Sequence, residues 1–133
     1  MTQRLTADDF FTGLFAALAL KGRKIISLRD ERFDRTIGGI FDTLEGRATQ
    51  EHLDVLFYIA VHPVHGDSPT VRHSISDAAQ RGVISFDNPE YQNIRLRLDP
   101  QGAATILDSI PGGRPLFEDL ADEFIRRYDL VAS

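Results

Sequence analysis

The sequence has no cysteine and no long hydrophobic run, and each absence excludes a class of protein. Without cysteine there is no disulfide framework, no thiolate zinc site and no cysteine nucleophile, so packing alone must stabilise the interior. The longest apolar run, residues 14–20, is far shorter than the roughly 20 residues of a membrane-spanning helix. No basic region precedes a hydrophobic stretch at the N-terminus. We therefore expect a soluble, cytoplasmic protein with no membrane partner.

Basic charge is also scarce. The net charge of -5, from 15 basic and 20 acidic residues, weighs against a protein that coats nucleic acid non-specifically, because that affinity comes from lysine and arginine displacing counterions from phosphates. Residues 68–98 differ, with four arginines against three acidic residues and a net charge of +1. This segment is less acidic than its surroundings, although it is not a basic patch.

Apolar stripes at helical spacing predict two helices early in the chain and one at its end. Thr6 and Asp9 predict a capping box at the start of the first helix, whose stripe runs through residues 10–18. A short extended piece at 25–28 leads to a second stripe at 33–44, and the last stripe occupies 116–128. We expect these residues to form the core; alternatively, the two terminal stripes form the seam of a homodimer.

Residues 68–110 contain the pattern that points most directly to a function. Ser68 and Pro69 predict a helix start, and Gly82 predicts its end. Residues 83–86 and 94–98 then predict two short strands, with Ile94, Leu96 and Leu98 inward and Arg95 and Arg97 outward. A polar helix face followed by a hairpin is how winged-helix proteins place a helix in the major groove and a wing on the neighbouring backbone.

The segment 50–61 fits two elements. Leu53, Leu56, Phe57 and Ala60 match a helix, whereas Leu53, Val55, Phe57, Ile59 and Val61 match a strand equally well. The length of the segment, about a dozen residues, and a cap at Thr49 favour the helix. If the segment is a strand, the chain is an α+β domain with a three-stranded sheet, and the winged-helix interpretation loses its support.

The chain from Leu53 to about Ile110 resembles the multiple-antibiotic-resistance-regulator (MarR) family of winged-helix repressors. The likeness lies in the sequences at 53–60, 68–75, 80–84 and 94–102, which are similar to the family's scaffold helix, recognition helix, terminating glycine and return strand. The resemblance implies a homodimer in which the terminal helices of two subunits intertwine. Two features of the family are missing: a short helix ahead of the recognition helix, and arginines at the wing tip.

These observations predict one domain over 1–133 that is mainly α (α+β), a winged helix with a two-stranded β-hairpin wing. The N-terminal helices occupy 1–48, the winged-helix core 49–110 and the C-terminal helix 114–130, and the terminal helices are expected to dimerise. The candidate DNA-binding residues lie on the predicted recognition helix and the wing: Thr70, Arg72, His73, Ser76, Gln80, Tyr91, Gln92, Asn93 and Arg95. Arginine can form two hydrogen bonds with the edge of guanine, and glutamine can do the same with adenine.

Plainer interpretations stand beside these. The polar residues of 70–80 also fit a solvated helix face, and Arg95 and Arg97 fit the outer face of a soluble hairpin. His62, His65 and Asp67, with His52 and Asp54 upstream, lack the spacing of a recognised metal site. No catalytic constellation is present, so we expect neither an enzyme nor a cofactor. The sequence predicts a homodimeric DNA-binding regulator or, alternatively, a degenerate winged-helix module that binds a protein partner in a larger complex.

Overall fold

A computed structural model describes residues 3–28, 32–59, 68–86 and 93–132. Residues 130–132 are described by their backbone alone. Within these ranges the chain is mainly helical, with two small sheets. In order, the elements are β1 (Gln3–Leu5), α1 (Ala7–Leu20), β2 (Ile25–Ser27), α2 (Arg32–Arg47), β3 (Leu53–Val55), α3 (Pro69–Gln80), β4 (Ile84–Phe86), β5 (Asn93–Leu96), α4 (Pro100–Ser109) and α5 (Gly113–Ala132).

Helix α1 is the central element, and it packs against α3, α4 and α5. Its predicted capping box is confirmed: the Asp9 amide donates to Thr6 Oγ1 at 3.1 Å, and the Thr6 amide donates to Asp9 Oδ2 at 3.5 Å. The predicted stripe is buried, because α1 has neighbours on most of its circumference. Its phenylalanine rings contact rings of other helices: Phe15 stacks on Phe33 of α2, and Phe33 meets Phe124 of α5 in an edge-on contact.

Helix α5 covers α1 and α2 with its apolar face, which buries Leu116, Phe117, Leu120, Ala121, Phe124 and Tyr128. Ion pairs border this contact, from Lys21 to Asp122 at 2.7 Å and from Arg47 to Asp119 at 3.1 Å. A side-chain hydrogen bond to Glu51 raises the pKa of Arg47 against the lowering effect of burial. The stripes of both terminal helices therefore belong to the core of a single chain, and they no longer provide an argument for a dimer seam.

The antiparallel sheet has one strand more than the predicted hairpin. Strands β4 and β5 pair in antiparallel fashion as expected, but β2 pairs with the other edge of β5, which gives the order β2-β5-β4. Ile26 and Phe86 lie opposite Ile94 on either side, so the third strand extends the apolar inner face. The hydroxyl of Tyr128 closes part of the β2 edge, because it accepts from the Ser27 amide at 2.9 Å and donates to the Ser27 carbonyl at 3.0 Å.

The helix favoured for residues 50–61 is wrong over the part that the structure describes. Residues 53–55 form β3, which pairs in parallel with β1, and residues 56–59 have no helical conformation. The strand alternative holds for residues 53–55 only, although the alternation continues: Leu53 and Ile59 are buried while Asp54, Leu56 and Tyr58 are exposed, the two-residue period of an extended chain. β3 does not add to the hairpin, because it pairs with β1 in a separate two-stranded sheet. Residues 60 and 61 lie outside the described ranges. The scaffold helix implied by the family resemblance is therefore not formed at 53–59. This segment no longer supports the winged-helix interpretation, which then depends on α3 and the two strands after it.

Candidate nucleic-acid interface

Helix α3 begins and ends where the sequence predicts. Ser68 caps it, with Oγ accepting from the Val71 amide at 3.4 Å, and Pro69 occupies the first turn. At the other end Gly82 has φ +80°, a left-handed conformation that glycine adopts without steric cost. The chain turns there and enters β4 two residues later. A helix followed at once by a hairpin is thus present in the described chain.

One face of α3 is buried and the opposite face is open. Val71, Ser74, Ile75 and Ala78 are buried, whereas His73, Ser76 and Gln80 are exposed and Thr70 is half-buried. The helical period predicted this division. The open face presents donors and acceptors but little positive charge, because His73 Nε2 lies 3.3 Å from the Asp77 carboxylate one turn on.

Arg72 makes a structural contact that the sequence did not reveal. Its Nε donates to Oδ2 of Asp34 in the first turn of α2 at 3.2 Å, and the same oxygen accepts from the Ser68 amide at 2.9 Å. Asp34 is fully buried. This carboxylate joins the starts of α2 and α3, and a buried acid is stable only where such donors surround it. Arg72 therefore acts first as its counter-ion.

The C-terminal end of α3 is tied to α1 by Arg81. Its Nη1 donates to Thr12 Oγ1 at 2.5 Å, and its Nη2 lies 3.9 Å from Asp8. A shallow cleft of about 460 Å³ beside it is lined by Asp8, Asp77, Gln80 and Arg81. Acids thus surround the arginine at this end of the helix, and they reduce the positive potential that a phosphate would meet.

The hairpin contributes Asn93 and Arg95, two of the predicted residues. Both lie on β5, where Arg95 is opposite Ile25 on one side and Ser85 on the other. Ile94 and Leu96 are buried and Arg97 is exposed, as predicted. Arg95 and Leu98 are both half-buried, and the strand ends at Leu96 rather than at Leu98. Tyr91 and Gln92, at the predicted wing tip, lie outside the described residues.

Other site types find little support within the described ranges. Among those residues, no three histidine or acidic side chains come close enough together to hold a metal ion, and His62, His65 and Asp67 lie outside them. None of the described helices combines the length and the apolar character that crossing a membrane requires. Comparison of the chain with family models, curated proteins and solved structures found no match.

Proposed function

We propose that the chain is a winged-helix DNA-binding regulator, with α3 as the helix that enters the major groove and the β4-β5 hairpin as the wing. One observation carries this proposal. The exposed face of α3, with His73, Ser76 and Gln80, is polar and open, and the antiparallel hairpin follows it directly after Gly82. Recognition helices need an open polar face of this kind, because base edges are read by hydrogen bonds.

The order of the elements supports the same proposal. Besides β1 and β3, which pair with each other, a helix, a strand and a second helix precede α3. The strand between the two helices, β2, joins the hairpin as its third member. The hairpin is therefore anchored to the helical body rather than attached through its turn alone. A wing fixed in this way would keep a constant position relative to α3, which simultaneous contact with a groove and the adjacent backbone requires.

Each residue of the face would have a distinct role. Gln80 would read adenine through its amide, and His73 and Ser76 would donate to base edges or phosphates. Asn93 and Arg95 would approach the sugar-phosphate backbone from the sheet. Arg72 would hold the start of α3 through Asp34, at 3.2 Å, rather than touch DNA. With so few cations facing the duplex, the affinity would fall only gently with salt.

The experiment is selection of a preferred duplex from a random pool, followed by anisotropy titration at about 50 mM salt. Gln80→Ala should weaken binding to the selected duplex by about 1–3 kcal/mol and relax the preference at one base position. Gln101→Ala, which changes an exposed glutamine on α4, is the matched control and should leave affinity unchanged. If no sequence is enriched and titrations do not saturate, the proposal is wrong.

A protein-interaction module is the second candidate, and the charge pattern of α3 favours it. Arg72 and Arg81, the two arginines of this helix and its C-cap, both face acids of the same chain, Asp34 and Asp8. A surface neutralised in this way attracts phosphates weakly. Co-purification of a stoichiometric partner, abolished by Gln80→Ala while the random pool yields no preferred duplex, would establish this function instead.

A further inference from the structure

The segment 53–59 forms an exposed apolar edge. Its core-facing residues are Leu53, Val55, Phe57 and Ile59, and its outward residues are Asp54, Leu56 and Tyr58. Leu56 is 51% exposed and Tyr58 68% exposed. The Tyr58 ring nevertheless has a fixed neighbour, because it meets the ring of Phe41 edge-on with centroids 5.6 Å apart. Two large side chains are thus presented to solvent on one extended segment.

The backbone of the same segment is open for pairing. The Leu56 amide donates to the Leu5 carbonyl at 2.9 Å, and the His52 carbonyl accepts from the Gln3 amide at 2.8 Å. The backbone amides and carbonyls of the even-numbered residues in this stretch therefore point toward β1. The backbone amide and carbonyl of Val55 point away from β1, and continued alternation directs those of Phe57 to the same side. Within the described parts of the chain, neither residue has a backbone partner there. An open edge of this kind is a template for another strand.

We propose that two copies of the chain pair in antiparallel fashion through residues 53–59, about a two-fold axis at Leu56. Val55 of each copy then exchanges both backbone hydrogen bonds with Phe57 of the other. Leu56 lies opposite Leu56 of the second copy, in a position without hydrogen bonds where side chains are closest. A symmetric dimer of this kind uses the same patch on both subunits. The proposal stands apart from the proposed function.

Complementarity within the segment identifies a second copy as the occupant. In this register Asp54 lies opposite Tyr58 of the other copy, so the only charge in the segment meets a hydroxyl that can donate to it. A register centred one residue earlier would place Asp54 opposite Leu56 and remove that contact. No two like charges face each other across the axis, which would otherwise destabilise the pair.

The β2 edge of the three-stranded sheet fits a partner less well. On β2, Ile25 is 48% exposed, but the hydroxyl of Tyr128 already bonds the amide and the carbonyl of Ser27. A strand approaching β2 would have to displace Tyr128. The 53–59 interface itself is short and falls below the area of a standard stable interface, so the dimer would form at high micromolar concentration and dissociate on dilution.

Cysteine cross-linking tests the register, since the chain has no cysteine of its own. Facing Cα atoms at the axis would lie about 4.5 Å apart, within reach of a disulfide. L56C should therefore oxidise to a covalent dimer about tenfold faster than I25C, because pairing raises the effective concentration of the two thiols. In a dimer of two D54C chains the thiols would lie about 14 Å apart along the strand, too far for a disulfide. D54C should therefore form a disulfide only with Y58C, when the two variants are mixed.

Solution mass provides the second measurement. The unmodified chain should approach twice its 14.9 kDa mass as concentration rises, and L56K should remain at the single-chain mass, because two lysines would then face each other across the axis. I25K is the matched control and should still dimerise. A single-chain mass at millimolar concentration, equal cross-linking of L56C and I25C, or a dimer in L56K would each overturn the proposal. Pairing with a foreign strand alone would appear as a single-chain mass and would also overturn it.

Discussion

Oδ2 of Asp34 accepts hydrogen bonds from Arg72 Nε at 3.2 Å and from the Ser68 amide at 2.9 Å, so one buried oxygen atom links the first turns of α2 and α3. The two helix starts are separated by more than thirty residues of chain, yet this carboxylate sets their relative position. Because α3 carries the candidate interface, the geometry of that interface depends on a residue that would never contact a ligand.

Arg72→Met should lower the free energy of unfolding by about 2–3 kcal/mol. Removing one member of a fully buried ion pair costs about 3–5 kcal/mol, because the other member is left uncompensated. The effect is smaller here because the Arg72 side chain is 38% exposed. Urea denaturation followed by circular dichroism measures it. Arg97→Met, at an exposed position, is the control and should change stability by less than about 0.5 kcal/mol. Equal effects of the two substitutions would show that the Asp34 contact contributes nothing.

Two glycine-to-alanine substitutions should act in opposite directions. A methyl group at Gly13 in α1 would lie 2.6 Å from Ile110 Cδ1 and 2.7 Å from Phe117 Cε1, so Gly13→Ala should destabilise by about 1–3 kcal/mol through overpacking. At Gly46 in α2 a methyl would meet nothing within 4 Å. Gly46→Ala should therefore stabilise by about 0.5–1 kcal/mol. Thermal unfolding of both variants gives the signs, and a stabilising Gly13→Ala would contradict the close packing of α1 against the α4-α5 corner.

Tyr128→Phe should cost about 1–2 kcal/mol of stability, because the ring is retained while both hydrogen bonds to Ser27 are lost. Native-state hydrogen exchange provides a local measurement. The Ser27 amide should exchange faster in the variant, whereas the neighbouring Ile26 amide, which faces Ile94 in β5, should keep its protection. Uniformly faster exchange at both amides would mean that Tyr128 acts on global stability alone.

Thr6→Ala should destabilise by about 0.5–2 kcal/mol, the usual effect of removing a helix cap. The Thr6 hydroxyl accepts from the Asp9 amide at 3.1 Å, and alanine offers that amide no partner. Thr49→Ala changes an exposed threonine in the turn after α2, and it should leave the unfolding midpoint within error. Similar losses in both variants would argue against a specific capping role.

Local sequence cues predicted the elements whose boundaries depend on neighbouring residues. The capping box at Thr6, the Ser68-Pro69 start and the stop at Gly82 all act within a few residues, and the structure has each of them. The prediction for residues 53–59 was wrong because their apolar residues match a helical and an alternating pattern equally well. The conformation of this segment depends on pairing with β1, about fifty positions away in sequence. A distant partner leaves no local trace.

The same distinction holds at the candidate site. The exposure of His73, Ser76 and Gln80 follows from the helical period, so it could be predicted from the sequence. The contact of Arg72 with Asp34 depends on how two helices approach in three dimensions. In the sequence Asp34 is simply an acid in the first turn of a helix, a common position for the favourable effect of the helix dipole, and nothing marks it as the partner of an arginine thirty-eight positions later.

The position of α5 has a consequence for biosynthesis. Until the ribosome has made residues 116–128, the sides of α1 and α2 that pack against α5 have no cover. The nascent chain must therefore expose these sides until α5 is made, a period in which hydrophobic patches attract chaperones or one another. Premature termination before residue 116 should accordingly yield aggregates or degraded fragments rather than a smaller folded protein.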